Sequence, residues 1–248
     1  MVSAFLPWRE LSRAFNFFII AFAYHKGLKE NKGADDFPLF IGRAGITSLA
    51  MMKSHAPATL RNRDPILEVL KRVLPEEGLV LEVASGSGEH ASYFAPALGV
   101  LSWQPTAKDL SDRASISAWA AEVGCDNLLD PLDLDVLRTP WLVAQAAAIV
   151  CCNMIHITPW AVTQALMAGA GRTLSAGGVL YLYGPYKIDG SHTAASNQAF
   201  DESLRSRDPQ WGIRDLGDVI AEAARQALSH METVAMPANN QSVIFRRT

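Results

Sequence analysis

The residues with the plainest chemical purpose lie between Leu79 and Ala91. Leu79–Val83 is an apolar run interrupted by one acid, Glu82. Ala84, Ser85, Gly86, Ser87 and Gly88 follow as a loop of small residues, and Glu89, His90 and Ala91 can open a helix. Small residues let a backbone pass close to a ligand and turn its N–H groups towards it. An acid in an otherwise buried strand is costly unless something binds it. The two features together describe a nucleotide-like ligand with a cationic end, and S-adenosyl-L-methionine, with its ammonium and sulfonium, fits that description. The spacing Gly86-x-Gly88-x-x-Ala91 also satisfies the dinucleotide fingerprint with Ala third. Against a dinucleotide, an acid stands where such a strand is normally apolar, and no second phosphate-binding glycine cluster follows. A tight strand-to-helix turn with no ligand is the plainest alternative.

A second group of residues is placed to act on whatever the loop holds. Asn153 and Met154 follow the apolar run Ala146–Cys152, at the carboxyl edge where open α/β sheets bind ligands. His156, just beyond, is the candidate general base, because imidazole titrates near neutrality. Tyr186, after Gly184-Pro185, is placed to line an acceptor pocket and is the second candidate catalytic residue. His90 reads as packing against the ligand or capping the loop. His192 sits in a polar loop that reads as an ordinary solvated loop, with closure over substrate as the functional alternative. Trp211 and Arg214, in Arg205–Asp215, offer an indole and a guanidinium fork for an anionic or planar acceptor. Asn239 lies in the Pro237–Asn240 connection, where Asn also suits a turn. Each has a purely structural reading beside the functional one: a core-edge histidine, a packed tyrosine, arginines paired with neighbouring acids.

These residues need a scaffold, and the pattern supplies one. Asp64-Pro65 reads as an N-cap and first helical residue, with Ile66, Val69, Leu70 and Val73 on one face. A helix from Glu89 closes at Pro96. Val100–Trp103 is a second strand. Ser111 caps a helix through Ala121 whose apolar positions are Ile116, Trp119, Ala120 and Val123, and Gly124 ends it. Asn127–Asp135 holds a weak third strand, and Ala146–Cys152 reads as a strand covered on both faces. Thr158-Pro159 opens a helix running to about Leu174, and Val179–Tyr183 is the fifth strand. Asp215 with Asp218 resembles a capping box for a helix carrying Leu216, Val219, Ile220, Ala223 and Ala227. Glu232–Met236 and Ser242–Arg246 then form a hairpin. The expected class is α/β: a Rossmann-like, doubly wound, mostly parallel seven-stranded sheet finished by an antiparallel hairpin.

Composition narrows the partners. The 248 residues are 49% hydrophobic with a formal net charge of −3, enough for one good core and without a global attraction for nucleic acid. Cys125, Cys151 and Cys152 lack metal-ligand spacing and form no disulfide framework, which points to no metal and a reducing, cytoplasmic setting. Residues 1–50 read as an extension outside the fold, with residues 51–248 as the domain. The run Ala14–Ala23, ending Ala21-Phe22-Ala23, resembles a weak secretory signal and is too short for a membrane span. The preferred alternative is translation starting at Met51 or Met52.

Six blocks in order carry a resemblance: Arg61–Leu67, Glu82–Ala91, Asn153–Ile157, Gly184–Tyr186, Phe200–Asp215 and Met236–Asn240. Over about residues 55–248 the chain resembles class I S-adenosylmethionine-dependent methyltransferases. More narrowly it resembles the methyltransferase-like family catalogued as domain of unknown function 938. The resemblance implies that Glu82 binds the donor's ammonium and that Gly86 and Gly88 wrap its methionine part. Ala84 stands where most superfamily members have glycine and narrows the room. The acid that usually takes the ribose hydroxyls is replaced by Gln104, with Asp109 the nearest carboxylate. Asp135 resembles the acid beside the adenine amino group, with Asp133 as competitor. The expected activity is methyl transfer from S-adenosyl-L-methionine to a small-molecule acceptor, with no nucleic acid or membrane partner. A donor-binding module without turnover and a nicotinamide-dependent oxidoreductase are the rivals.

Overall fold

A computed structural model describes residues 53–248. The N-terminal extension, its signal-like run and the alternative start at Met51 or Met52 lie outside the described residues. Strands β1 (Gly78–Val83), β2 (Leu101–Pro105), β3 (Ala146–Cys152) and β4 (Leu174–Gly184) are mutually parallel. Strands β7 (Leu228–Met236) and β8 (Asn240–Arg247) form the expected antiparallel hairpin, and β8 also pairs antiparallel with β4. The sheet order is β2-β1-β3-β4-β8-β7. A small separate ribbon joins β5 (Lys187–Ile188) to β6 (Ser191–His192).

Helices cover both faces. On one, α1 (Thr59–Val73) and α2 (Glu89–Ala97) bury Ile66, Leu70 and Phe94 against Val80, Trp103 and Tyr181. On the other, α4 (Trp160–Thr173) and α6 (Leu216–Ala224) bury Leu166, Met167, Val219 and Ala223 against Leu180 and Phe245. Helix α3 (Leu110–Val123) buries only Ser115 and Ile116 and rests on α2. Trp119, expected to pack inward with Ile116, turns to the strap before α1 and donates to the Ser54 carbonyl at 3.1 Å. Helix α5 (Ala195–Arg207) follows the ribbon.

The seventh strand position is occupied without a regular strand. Residues 127–132 touch β2 through two parallel bridges, Trp103 to Leu128 and Thr106 to Leu132. Pro131 stands inside this run and cannot donate to a ladder. Asn127 compensates, its Nδ2 donating to the carbonyls of Ala95 (2.6 Å) and Leu101 (2.9 Å).

The helix ends also differ from expectation. Helix α1 starts at Thr59, and Pro65 lies inside it. Thr59–Arg63 lacks an apolar period, and these residues are held helical by tertiary contact: Asn62 is buried and its Oδ1 meets His90 Nε2 at 2.8 Å. Pro96 likewise falls within α2, in its last turn, where it removes one hydrogen bond just before the helix ends. Asp215 does cap α6, accepting from the Gly217 amide at 2.8 Å.

Asn127→Ala is expected to destabilise the fold by about 1–3 kcal/mol, because it removes the side-chain bonds that tie the bridged segment to the Ala95 and Leu101 carbonyls. The measurement is a urea midpoint shifted down at unchanged slope; an unshifted midpoint would show the bridged segment to be dispensable.

Candidate functional site

Because β2 and β3 lie on opposite sides of β1, the strand order reverses there and opens a crevice beyond the carboxyl ends of β1 and β3. The loop Ala84–Gly88 and the turn Asn153–His156 flank it. Ala84 (φ 57), Gly86 (φ 55) and Gly88 (φ 91) all take left-handed backbone conformations. The two glycines do different work. A Cβ on Gly88 would stand 2.7 Å from the Ile116 backbone, so this residue lets α2 and α3 approach. A Cβ on Gly86 would meet nothing within 4 Å, so its backbone borders open space. The Ser85 and Gly88 amides donate to Thr106 and Ser85 carbonyls (2.8 and 3.0 Å), while the Gly86 and Ser87 amides have no protein acceptor among the described residues. That leaves two donors beside open space at a helix N-terminus, which suits an anionic group such as a carboxylate.

Glu82 is 2% exposed beneath this loop. Trp103 Nε1 donates to its Oε2 at 3.0 Å, a consequence of parallel register that sets Trp103 beside Val80, one side-chain repeat from Glu82. Burial pushes the Glu82 carboxyl up to about 7, against the smaller opposing effects of Trp103 and Ser85. Neutral donors alone do not bring it down, and a cation bound in the crevice would.

The other expected donor-binding residues are more occupied. Gln104 is buried, and its Nε2 donates to the carbonyls of Pro105 (3.1 Å) and Asp130 (2.6 Å). The amide thereby ties the bridged seventh position to β2. Asp109 is exposed at the start of α3 without a side-chain cap bond. Asp135 is half-buried, accepts from the Leu137 amide at 3.0 Å and lies 3.9 Å from Arg138. Asp133 is exposed, 3.6 Å from Arg113. His90 stacks on Phe94 and pairs with Asn62; burial, aided by Arg63, lowers its pKa to about 4, so it stays neutral.

Asn153 takes a left-handed conformation (φ 62) and bonds Tyr183 through its backbone, with Met154 buried behind it. His156 and Tyr186 are together, ring centroids 5.2 Å apart and edge to face, but both are sealed at 1% and 0% exposure. Burial first, and then the Arg214 charge, lower the His156 pKa to about 3. His156 Nδ1 faces the Arg214 amide at 3.4 Å, which leaves the ring proton on Nε2. That nitrogen and the Tyr186 hydroxyl are buried with no partner among the described residues. A Cβ on Gly184 would stand 2.5 Å from His156 Nε2, so glycine is required for this packing.

The expected acceptor residues do not converge. His192 belongs to the ribbon rather than to an open loop, its Nε2 3.3 Å from Asp201. Trp211 is half-buried beneath the Arg207 guanidinium. Arg214 donates to the carbonyls of Ile155, Thr158 and Gln210 and so clamps the turn after β3. Asn239 is exposed, and its carbonyl accepts from Asn197 at 3.0 Å.

Residue-by-residue reading missed a polar chain at the end of β4. Burial raises the Tyr183 pKa, opposed by the Asn62 and Asn240 amides beside its hydroxyl, and Asn62 continues to His90. The recognisable Arg61–Leu67 and Met236–Asn240 blocks contain both asparagines, so the signal existed without an assignment.

The Glu82 shift fixes a sign. Its folded pKa exceeds the ordinary 4.5, so the folded state binds the extra proton and stability falls as pH rises from about 4.5 to about 7. Glu82→Gln is therefore expected to be more stable than wild type at pH 8, by up to about 3 kcal/mol, and nearly equal at pH 4.5. Thermal melts across that range test this; a difference independent of pH would remove Glu82 as its source.

The arrangement has close structural counterparts. The O-methyltransferase family 2 protein from Planctomyces limnophilus DSM 3776, solved with apigenin, superposes with a TM-score of 0.68 at 15% identity, over 77% of this chain and 58% of that one. The S-adenosylmethionine-dependent methyltransferase SibL gives 0.65 at 17%, over 77% and 55%. CalO1, a methyltransferase of calicheamicin biosynthesis in its SAH-bound form, gives 0.62 at 14%, over 77% and 55%. The chain thus spans little more than half the length of these proteins, and at such identities the likeness establishes the fold. Residues 53–247 match the family described as protein of unknown function (DUF938). The chain belongs to the DUF938 family, built on the Rossmann-like fold of the S-adenosylmethionine-dependent methyltransferases.

Proposed function

We propose that this chain transfers a methyl group from S-adenosyl-L-methionine to a small-molecule acceptor. The observation that carries the reading is the pairing of a buried, cation-less Glu82 with a glycine loop whose Gly86 borders open space. Glu82 would face the donor's ammonium, and the Gly86 and Ser87 amides its carboxylate. The donor, when bound, supplies a methyl carbon already activated for displacement by its sulfonium. The structural neighbours include methyltransferases, one of them solved with apigenin, and support a small acceptor by analogy.

The protein's remaining task is alignment: the acceptor atom must sit in line with the methyl carbon, about 3–3.5 Å away, with water excluded. His156 and Tyr186 serve that task from behind the wall. His156, neutral and sealed, holds the Asn153 turn and Arg214 in place and is a positioning residue in this reading. The polar chain His90–Asn62–Tyr183–Asn240 presents neutral hydrogen-bonding groups at the carboxyl edge, fitting an uncharged acceptor group. Asp109, which is exposed, and Asp135, after a small rotation from the Leu137 amide, remain the proposed contacts for the ribose and adenine. The residues described include no helix long and apolar enough to cross a membrane.

The sealed state of His156 also favours a second reading, a donor-binding module without turnover, because neither His156 nor Tyr186 is exposed to the crevice. Turnover against a broad panel of phenols, amines and thiols separates the two.

Calorimetry with S-adenosylhomocysteine is expected to give a micromolar Kd, roughly −7 to −8 kcal/mol. Glu82→Ala and Gly86→Val should abolish that heat while circular dichroism stays native. Gly86→Val both strains a left-handed position and fills the open space. Absence of heat with wild-type protein at high concentration would overturn the donor assignment.

A further inference from the structure

A second cavity of about 500 Å³ opens between α4, α6 and the segment after α5, within the usual range for small-molecule sites. Its wall includes Lys187, Arg205, Arg214 and Arg225, with Asp215 and Asp218 the only acids. Neither the glycine loop nor Glu82 lines it, so the cavity is distinct from the crevice beside β1.

Most of the negative charge here is already committed. Asp215 accepts from the Gly190 and Gly217 amides (2.7 and 2.8 Å). Arg225 bonds Glu222 at 2.6 Å. Lys187 and Arg205 share one buried carboxylate, Asp201, at 3.0 and 3.2 Å, and that carboxylate also takes the Ile213 amide and faces His192. Arg214 makes no ion pair with any described residue. Its fork is held by the carbonyls of Ile155, Thr158 and Gln210, with Trp160 5.8 Å from the guanidinium carbon. Burial and the charge of nearby Arg205 both lower the Arg214 pKa, as expected for a guanidinium pressed towards a second cation. Asp218 alone among the wall's acids has no recorded partner within the described residues.

We propose that this cavity binds a small anion, a carboxylate- or phosphate-bearing molecule whose charged head lies against Arg205 and Arg214. Arg214 Nη1 and the two Arg205 Nη groups bond no described residue and are the donors left for such a head group. Arg225 and Lys187, each paired with a carboxylate, complete the wall, and Asp218 selects a ligand with a hydroxyl or amine beside its anionic head. The inference stands apart from methyl-donor binding, because the two sites share no residue.

The test is thermal melting of the full chain in sodium phosphate, sodium succinate or sodium malate, each against sodium chloride of equal ionic strength. At a hundredfold excess over Kd, one of these anions is expected to raise Tm by roughly 5 °C or more. A response to phosphate alone assigns a phosphoryl ligand; a response to succinate or malate assigns a carboxylate, with malate stronger if Asp218 reads the hydroxyl. Arg205→Gln, which keeps a donor for Asp201, and Arg225→Gln should each weaken the response at least tenfold in ligand concentration while leaving the unliganded Tm within about 2 °C. S-adenosylhomocysteine added with the anion should give an additive shift. Melting in all three anions identical to chloride overturns the proposal. So does a response unchanged in both variants, or competition with S-adenosylhomocysteine. A response to the anion with none to S-adenosylhomocysteine would leave this site standing and remove the donor assignment alone.

Discussion

A carboxylate sealed beneath the end of a parallel strand, with only an indole and a hydroxyl to satisfy it, is the constraint on which the rest of this molecule turns. Glu82 cannot be both fully buried and comfortably ionised without a cation. The fold accepts that cost at the point where the strand order reverses, and nowhere else along the four parallel strands does an acid stand in the sheet. Trp103 keeps the carboxylate oriented through β2, and the left-handed loop above it keeps space open. Stability given up at one residue leaves a position that a bound cation would favour.

A second organising centre lies beyond β4. Asp201 gathers Lys187, His192, Arg205 and the Ile213 amide; burial pushes its pKa up, but these donors outweigh burial and hold it below the ordinary value. Through them the ribbon, α5 and the segment before α6 become one unit. Arg214 fastens that unit to the turn after β3, where Asn153 meets the crevice. The segment between β4 and α6 is therefore tied through Arg214 to the turn that borders the crevice.

The sequence alone determined the sheet's composition and the loop's character. Ala146–Cys152 is continuously apolar because both faces are covered, and its bounds could be read directly. The glycine loop, Gly124 and the Asp215 cap carry their conformational demands in residue type. The C-terminal hairpin was legible because period-two runs flank a short polar turn. Tertiary structure decided what depends on distant partners. Helix α1 starts before Pro65 because Asn62 finds His90, and Trp119 leaves its own stripe because the strap before α1 offers a carbonyl. His156 reads as a base by its ordinary pKa, yet the packing of Arg214, Tyr186 and Gly184 around it keeps it neutral. Gln104 looks like a ligand residue by type and is spent on backbone carbonyls brought from other parts of the chain, and Arg214 commits Nε and Nη2 in the same way. Local chemistry sets which conformation a residue can adopt; only the folded chain sets who its neighbours are, and burial and pairing follow from the neighbours.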